Sequence, residues 1–113
     1  MTTGARVPLT EIMPFLKVAK LADIPEESAR EVLVDGHPYA LCRTGGAVYA
    51  LDGVCPHRGG PLGEGQIHGG AVVCPYHLWE FDCRTGAYDL DARRRVATFE
   101  VKIEDGDIYL QVP

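Results

Sequence analysis

The chain has 113 residues, 11 basic and 16 acidic, and a net charge of −5 at pH 7, which is the length of one domain and too short for two catalytic ones. Hydrophobic residues at 46% and charged residues at 24% exclude a disordered chain, and no apolar run approaches the roughly 18 residues of a membrane helix. No basic cluster is interleaved with aromatics, which argues against a nucleic-acid partner, and the acidic balance reads as solubility.

Thirteen glycines and eight prolines are well above the usual share and point to many turns between short strands. Residues 1–13 carry no period and read as a loose arm. The stretch MTTGARVPLTEIMPFLKVAK has neither the apolar core of an export signal nor a twin arginine, so a reducing, cytoplasmic location is expected. Phe15–Leu21 (FLKVAKL) alternates and predicts a first strand, and Ala22–Glu27 predicts a turn or one helical turn that Asp23 can cap. Arg30–Val34, Pro38–Arg43 and Ala47–Leu51 are short and evenly spaced. They end at Asp35-Gly36, Thr44-Gly45-Gly46 and Asp52-Gly53, which is the pattern of an antiparallel meander. Residues 55–81 break this rhythm with dense Gly and Pro, and predict two loops around a strand pair, Gln66–His68 and Ala71–Val73. The tail returns to strands at Ala97–Glu104 and Asp107–Val112 around Asp105-Gly106, with Val101 and Ile103 on one face and Lys102 and Glu104 on the other. No segment has a 3.6-residue apolar period. The expected fold class is therefore all-β, an antiparallel sandwich or barrel forming a single domain over residues 1–113, with a subdomain inserted at about 53–81.

Chemistry concentrates in that insertion. Cys55-Pro56-His57 is followed, after a 16-residue spacer, by Cys74-Pro75-Tyr76-His77, so two turns each present one thiolate and one imidazole. Three readings are open. The four residues can be unrelated core cysteines and surface histidines. They can form a structural zinc site, whose ligand types fit, although the C-x-H spacing is shorter than that of ordinary zinc knuckles. They can hold a [2Fe–2S] cluster of mixed ligation, two cysteines on one iron and two histidines on the other. Glycines then let the backbone approach and aim N–H groups at the sulfides, and Pro56 and Pro75 stiffen the turns. In a reducing compartment, metal binding suits the cysteines better than disulfides.

The run CPHRGGPLGEG…CPYHLWEFDCRTG resembles the Rieske [2Fe–2S] domain, specifically over residues 47–86 and plausibly over 15–112. The resemblance implies that Cys55 and Cys74 bind one iron while His57 and His77 bind the other through Nδ1. Two Fe(III), two sulfides and two thiolates sum to zero with neutral imidazoles. Reduction makes the site negative and the imidazoles hold their protons more tightly, so the potential is expected to depend on pH above neutrality. The respiratory branch of the family adds a disulfide between the loops and a serine after the second histidine. Here those positions hold Gly60 and Tyr76, and then Leu78 and Trp79. Fewer donors to the sulfurs imply a potential toward the low end, roughly −150 mV.

Many relatives cover the cluster with a proline-bearing loop, but this chain has no proline from Tyr76 to Val112. The equivalent stretch, Tyr88–Arg95 (YDLDARRR), reads as a solvated loop or a charged docking edge. Cys42 and Cys83 read as packing residues, with a disulfide between them disfavoured. His37 and His68 sit beside turn glycines and read as exposed. Arg58 reads either as solvated or as facing an acidic partner. Trp79 and Tyr76 read as packing beneath the second loop.

The leading function implied is a one-electron carrier with no substrate site of its own. As a monomer it would take electrons from a flavin-dependent NAD(P)H reductase and pass them to a terminal oxygenase, since the length leaves no room for an oxygenase's catalytic iron domain. The alternative is the small subunit of an NAD(P)H nitrite reductase, docked on the large subunit. A zinc-stabilised binding module is the third reading.

Overall fold

The computed structural model describes residues 14–113, so the arm expected over residues 1–13 lies outside the described residues. Eleven strands follow in order: β1 (Phe15–Lys20), β2 (Ser28–Val34), β3 (His37–Thr44), β4 (Ala47–Asp52), β5 (Gln66–His68), β6 (Ala71–Val73), β7 (Glu80–Asp82), β8 (Ala87–Tyr88), β9 (Asp91–Arg95), β10 (Thr98–Glu104) and β11 (Asp107–Gln111). Helix among the described residues is limited to two 3-10 turns, Leu21–Asp23 and Leu62–Glu64. The all-β expectation holds, and the predicted strands are met within a residue or two of their ends.

Turn chemistry explains the meander. Asp35-Gly36, Gly45-Gly46, Gly69-Gly70 and Asp105-Gly106 each have φ between 51° and 81° at both positions. Each joins directly paired strand ends, Val34 with His37, Thr44 with Ala47, His68 with Ala71, and Glu104 with Asp107. These are two-residue hairpins whose left-handed turns match the strand twist, and Gly and Asp tolerate that conformation.

The strands form one antiparallel sheet in the order β1-β11-β10-β4-β3-β2-β5-β6-β7-β8-β9, and β1 at its end curls back to pack against β2. Two cores lie on opposite faces of its middle. Strand β3 alternates between them: Tyr39 and Leu41 enter a core with Ile24, Ile108 and Leu110, while Ala40 and Cys42 enter one with Leu62, Val72 and Phe81. A run buried on both faces results from period-2 alternation between two cores. The first core closes the barrel-like end. The second underlies both Cys-His loops.

Two further contacts brace the barrel end. The Arg43 guanidinium donates to the carbonyls of Leu21 and Ile24, at 3.2 and 2.8 Å, and pairs with Glu26 at 3.2 Å, fixing the first 3-10 turn. The Lys102 ammonium lies 5.0 Å from the Phe15 ring and 5.2 Å from the Tyr109 ring, tying β1, β10 and β11 together.

The structure departs from expectation beyond Trp79. Residues 80–95 form β7, β8 and β9, so Tyr88–Arg95 is a hairpin rather than a loop. Phe81 pairs with Tyr88, and Tyr88 with Asp91. The β7–β8 turn is held by Asp82, whose carboxylate accepts the N–H groups of Arg84 and Thr85 at 2.8 and 2.9 Å. Strand β9 has one neighbour and sits at the sheet edge. Charges on an edge strand oppose pairing with a second chain, which is why DARRR lacks a strand's usual alternation. On β10, Ile103 is more exposed than alternation implied, at 44%.

Candidate metal centre

The first loop leaves β4 at Gly53, and the second runs from β6 to β7. They fold alike. Gly59 N–H donates to the Cys55 carbonyl at 2.8 Å, and Cys55 N–H to the Gly60 carbonyl at 2.9 Å. In the second loop Leu78 N–H donates to the Cys74 carbonyl at 3.0 Å, and Cys74 N–H to the Trp79 carbonyl at 2.8 Å. A left-handed residue sits at the matching place in each, Gly59 at φ 73° and Leu78 at φ 62°. Two copies of one loop therefore face each other and bring like to like.

Cys55 and Cys74 are 1% and 2% exposed, with their thiols side by side in hydrogen-bonding contact. The His57 and His77 rings stand 4.8 Å apart at 84°. His57 is half-buried and His77 exposed. All four predicted residues thus come together as two pairs. Among the described residues no three His, Cys, Asp or Glu side chains converge on a single ion. Two thiols in one pair and two imidazoles in another would suit a group of two metal ions better than the four-ligand tetrahedron of structural zinc.

The donor chemistry fits such a group. Burial pushes the Cys55 thiol up to about 11, against the opposing pull of the His57 N–H and with a further push from Cys74. A thiol raised in this way carries charge readily only with a cation to share it. The backbone comes close to the sulfur: a Cβ on Gly60 would overlap Sγ of Cys74 and stand 3.3 Å from Cβ of Tyr76. Gly60 and the root of Tyr76 therefore face each other.

His57 is set by a stack of rings. Trp79 lies flat on it at 4.2 Å and 10°, and Tyr88 lies flat on Trp79 at 4.1 Å and 11°. The Arg94 guanidinium is 6.0 Å from the Trp79 ring. Partial burial, then His77, Arg58 and Arg94, hold His57 below the ordinary histidine range. That direction favours the neutral ring, the form in which imidazole binds metal.

The remaining residues of interest separate from the site. Cys42 and Cys83 are free, buried at 0% and 1%, and hydrogen-bonded to each other. That bond and burial raise the Cys42 thiol far above its ordinary range. His37 pairs with Asp52 at 3.0 Å and His68 with Glu80 at 3.4 Å, both at the surface. Trp79 packs under the loop as expected, but Tyr76 does not. Its ring is 60% exposed, because the loop puts Tyr76 on the outer side. Sequence reasoning missed the roles of Leu78, Tyr88 and Arg94. The one available signal was the repeat of C-P-x-x at both loops, which aligns Leu78 with Gly59.

The pattern of the Rieske [2Fe–2S] domain matches residues 14–100. The chain belongs to the Rieske [2Fe–2S] domain family. The cofactor of this Rieske domain is a [2Fe–2S] cluster, and two cysteines with two histidines are the standard ligands of the domain. The chain is 33% identical over 99 residues to the ferredoxin component of the naphthalene 1,2-dioxygenase/salicylate 5-hydroxylase systems of Ralstonia sp., covering 87% of this chain and 95% of that one. It is 36% identical over 96 residues to the 3-phenylpropionate/cinnamic acid dioxygenase ferredoxin subunit of Escherichia coli K12, covering 82% and 89%. It also superposes with a TM-score of 0.77 and 30% identity on a chain of the complex of reduced oxygenase and oxidized ferredoxin in carbazole 1,9a-dioxygenase, covering 86% and 92%.

Proposed function

We propose that this Rieske protein is a one-electron carrier that takes electrons from a flavin-dependent NAD(P)H reductase and delivers them to a terminal oxygenase. Cys55 and Cys74 would hold one iron, and His57 and His77 the other. When bound, the cluster supplies reversible one-electron storage. The observation that carries this reading is the two-by-two arrangement: two buried sulfurs below, two imidazoles at the rim, one of them open to solvent. His57 and His77 lie at the surface end of the site, and a small, transient docking face surrounds them. Trp79 fixes the His57 ring plane, and Gly60 keeps the approach to Cys74 clear.

The relatives described above are ferredoxin components of dioxygenase systems, which favours an oxygenase as acceptor over the nitrite reductase subunit. The paired donors speak against the zinc module. We read the chain as one domain, with the cluster-binding part at about residues 53–81, acting as a monomer in the cytoplasm, where the four cysteines stay reduced. No helix among the described residues is long and apolar enough to cross a membrane.

Purified protein tests this directly. It should be red-brown, contain iron and acid-labile sulfide, and give a rhombic electron paramagnetic resonance spectrum after reduction. It should then pass electrons from a reductase to a terminal oxygenase. Colourless protein holding zinc and no sulfide would overturn the proposal. Replacing either histidine, His57→Cys or His77→Cys, should lower the potential of any cluster that assembles, because thiolate adds negative charge.

A further inference from the structure

We propose that the arginine edge of the β8–β9 hairpin steers a carboxylate-rich redox partner onto the His57 side of the tip. The inference rests on the carrier reading and adds the partner's chemistry and its orientation.

The chain is acidic overall, at −5, yet its tip is not. The Cys55–Pro61 and Cys74–Trp79 loops contain no carboxylate, and their one charged residue is Arg58. Beside them Arg93, Arg94 and Arg95 join Pro56, His57 and Trp79 in lining an open groove of about 560 Å³. Asp91 answers only part of this charge, pairing with Arg93 at 3.0 Å and standing 3.9 Å from Arg94. The other flank is opposite in sign. There Glu64 and Glu80 border a groove of about 480 Å³ that Pro75 and Leu78 also line. On the loops themselves Tyr76 and Leu78 are 60% and 69% exposed, and His77 and Arg58 are exposed beside them.

Each arginine has a neighbour in or beside the hairpin: Arg93 bonds to Asp91, the Arg94 guanidinium stands 6.0 Å from the Trp79 ring centre, and Arg95 donates to the Ala92 carbonyl at 3.3 Å. A charged edge built on a strand loses less entropy on docking than one on a mobile loop. Range decides which charge a partner feels. At physiological salt the screening length is about 8 Å, so groups bordering the groove outweigh carboxylates on distant strands. A partner carrying carboxylates beside its own redox centre meets attraction on one flank and repulsion on the other, which selects one orientation over the tip.

Two inorganic oxidants of opposite charge and similar strength read the local field: ferricyanide and tris(phenanthroline)cobalt(III). Each removes one electron from dithionite-reduced protein, ferricyanide becoming ferrocyanide and cobalt(III) becoming cobalt(II). Stopped-flow rates against ionic strength should show ferricyanide attracted, its rate falling as salt rises, despite the net charge of −5. The double variant Arg93→Glu/Arg95→Glu should slow ferricyanide about tenfold at low salt and speed the cobalt complex, the response expected of a steered encounter. Its resonance spectrum should stay unchanged. Cluster-loaded protein that favours the cobalt complex, or a variant with unaltered rates, overturns the guide alone. Protein with no cluster spectrum after reduction overturns the carrier reading and the guide together.

Discussion

Gly60 and Leu78 occupy neighbouring loops and carry opposite kinds of constraint. Gly60 is there for space, since any Cβ meets the Cys74 sulfur and the root of Tyr76. Gly60→Ala should therefore leave the strand signal in circular dichroism intact while iron and acid-labile sulfide fall to a small fraction of wild type. Full loading would contradict the fit. Leu78 holds a left-handed backbone at φ 62° with its side chain 69% exposed, so it gives up conformational energy with little packing in return. The left-handed region costs an L-residue roughly 1–2 kcal/mol. Leu78→Gly should raise stability by about 1 kcal/mol in denaturant titration; an equal or lower midpoint contradicts this. Neither role follows from residue type alone. A glycine in a loop reads as a turn, and only the opposed sulfur shows that Gly60 is a clearance.

Among the elements, the β8–β9 hairpin links scaffold to site. Trp79 is clamped between His57 and Tyr88, and aromatic pairs add about 0.5–1.5 kcal/mol each beyond the area they bury. Trp79→Ala should destabilise the fold by about 2–4 kcal/mol, judged against the usual loss for a buried aromatic, and it should broaden the resonance spectrum as the His57 ring gains freedom. A second element-scale contact is remote from the cluster. The Glu27 carboxylate accepts from Thr44 Oγ1 at 2.8 Å and from the Gly45 N–H at 2.9 Å, holding the entry to β2 against the β3–β4 turn. The Gly45 bond first, and then that of Thr44, holds it below its ordinary value of 4.5. A lowered folded-state value means stability that is present above the unfolded value and lost as pH falls through the folded one. Melting of Glu27→Gln should thus trail wild type at pH 7, with the gap closing as pH falls below about 4. A gap that stays constant with pH would show that the carboxylate charge contributes nothing.

These elements also show what was legible in the sequence. Hairpins closed by Asp-Gly or Gly-Gly were readable because those pairs tolerate the left-handed turn, and the paired Cys-His spacing pointed to the four candidate ligands. Strand β9 was not readable, since an edge strand follows solubility rather than period-2 burial. The stack of His57, Trp79 and Tyr88 was hidden for another reason: it depends on the register that sets Phe81 opposite Tyr88.

The whole molecule is a β scaffold with two cores, one closing the barrel-like end and one supporting a pair of matched loops. The loops' likeness makes the donors fall into like pairs, and the pairing separates a mixed-ligand two-iron site from a single ion. The same arrangement leaves a tip free of carboxylates between a basic and an acidic flank on an acidic protein. The central claim is that one iron has two imidazole ligands, from His57 and His77. Pulsed electron paramagnetic resonance of the reduced protein, labelled with 15N at histidine, measures this most directly. Two distinct strong nitrogen couplings are expected. A spectrum with no strong histidine coupling, or with both couplings intact after His57→Cys or His77→Cys, would contradict the assignment.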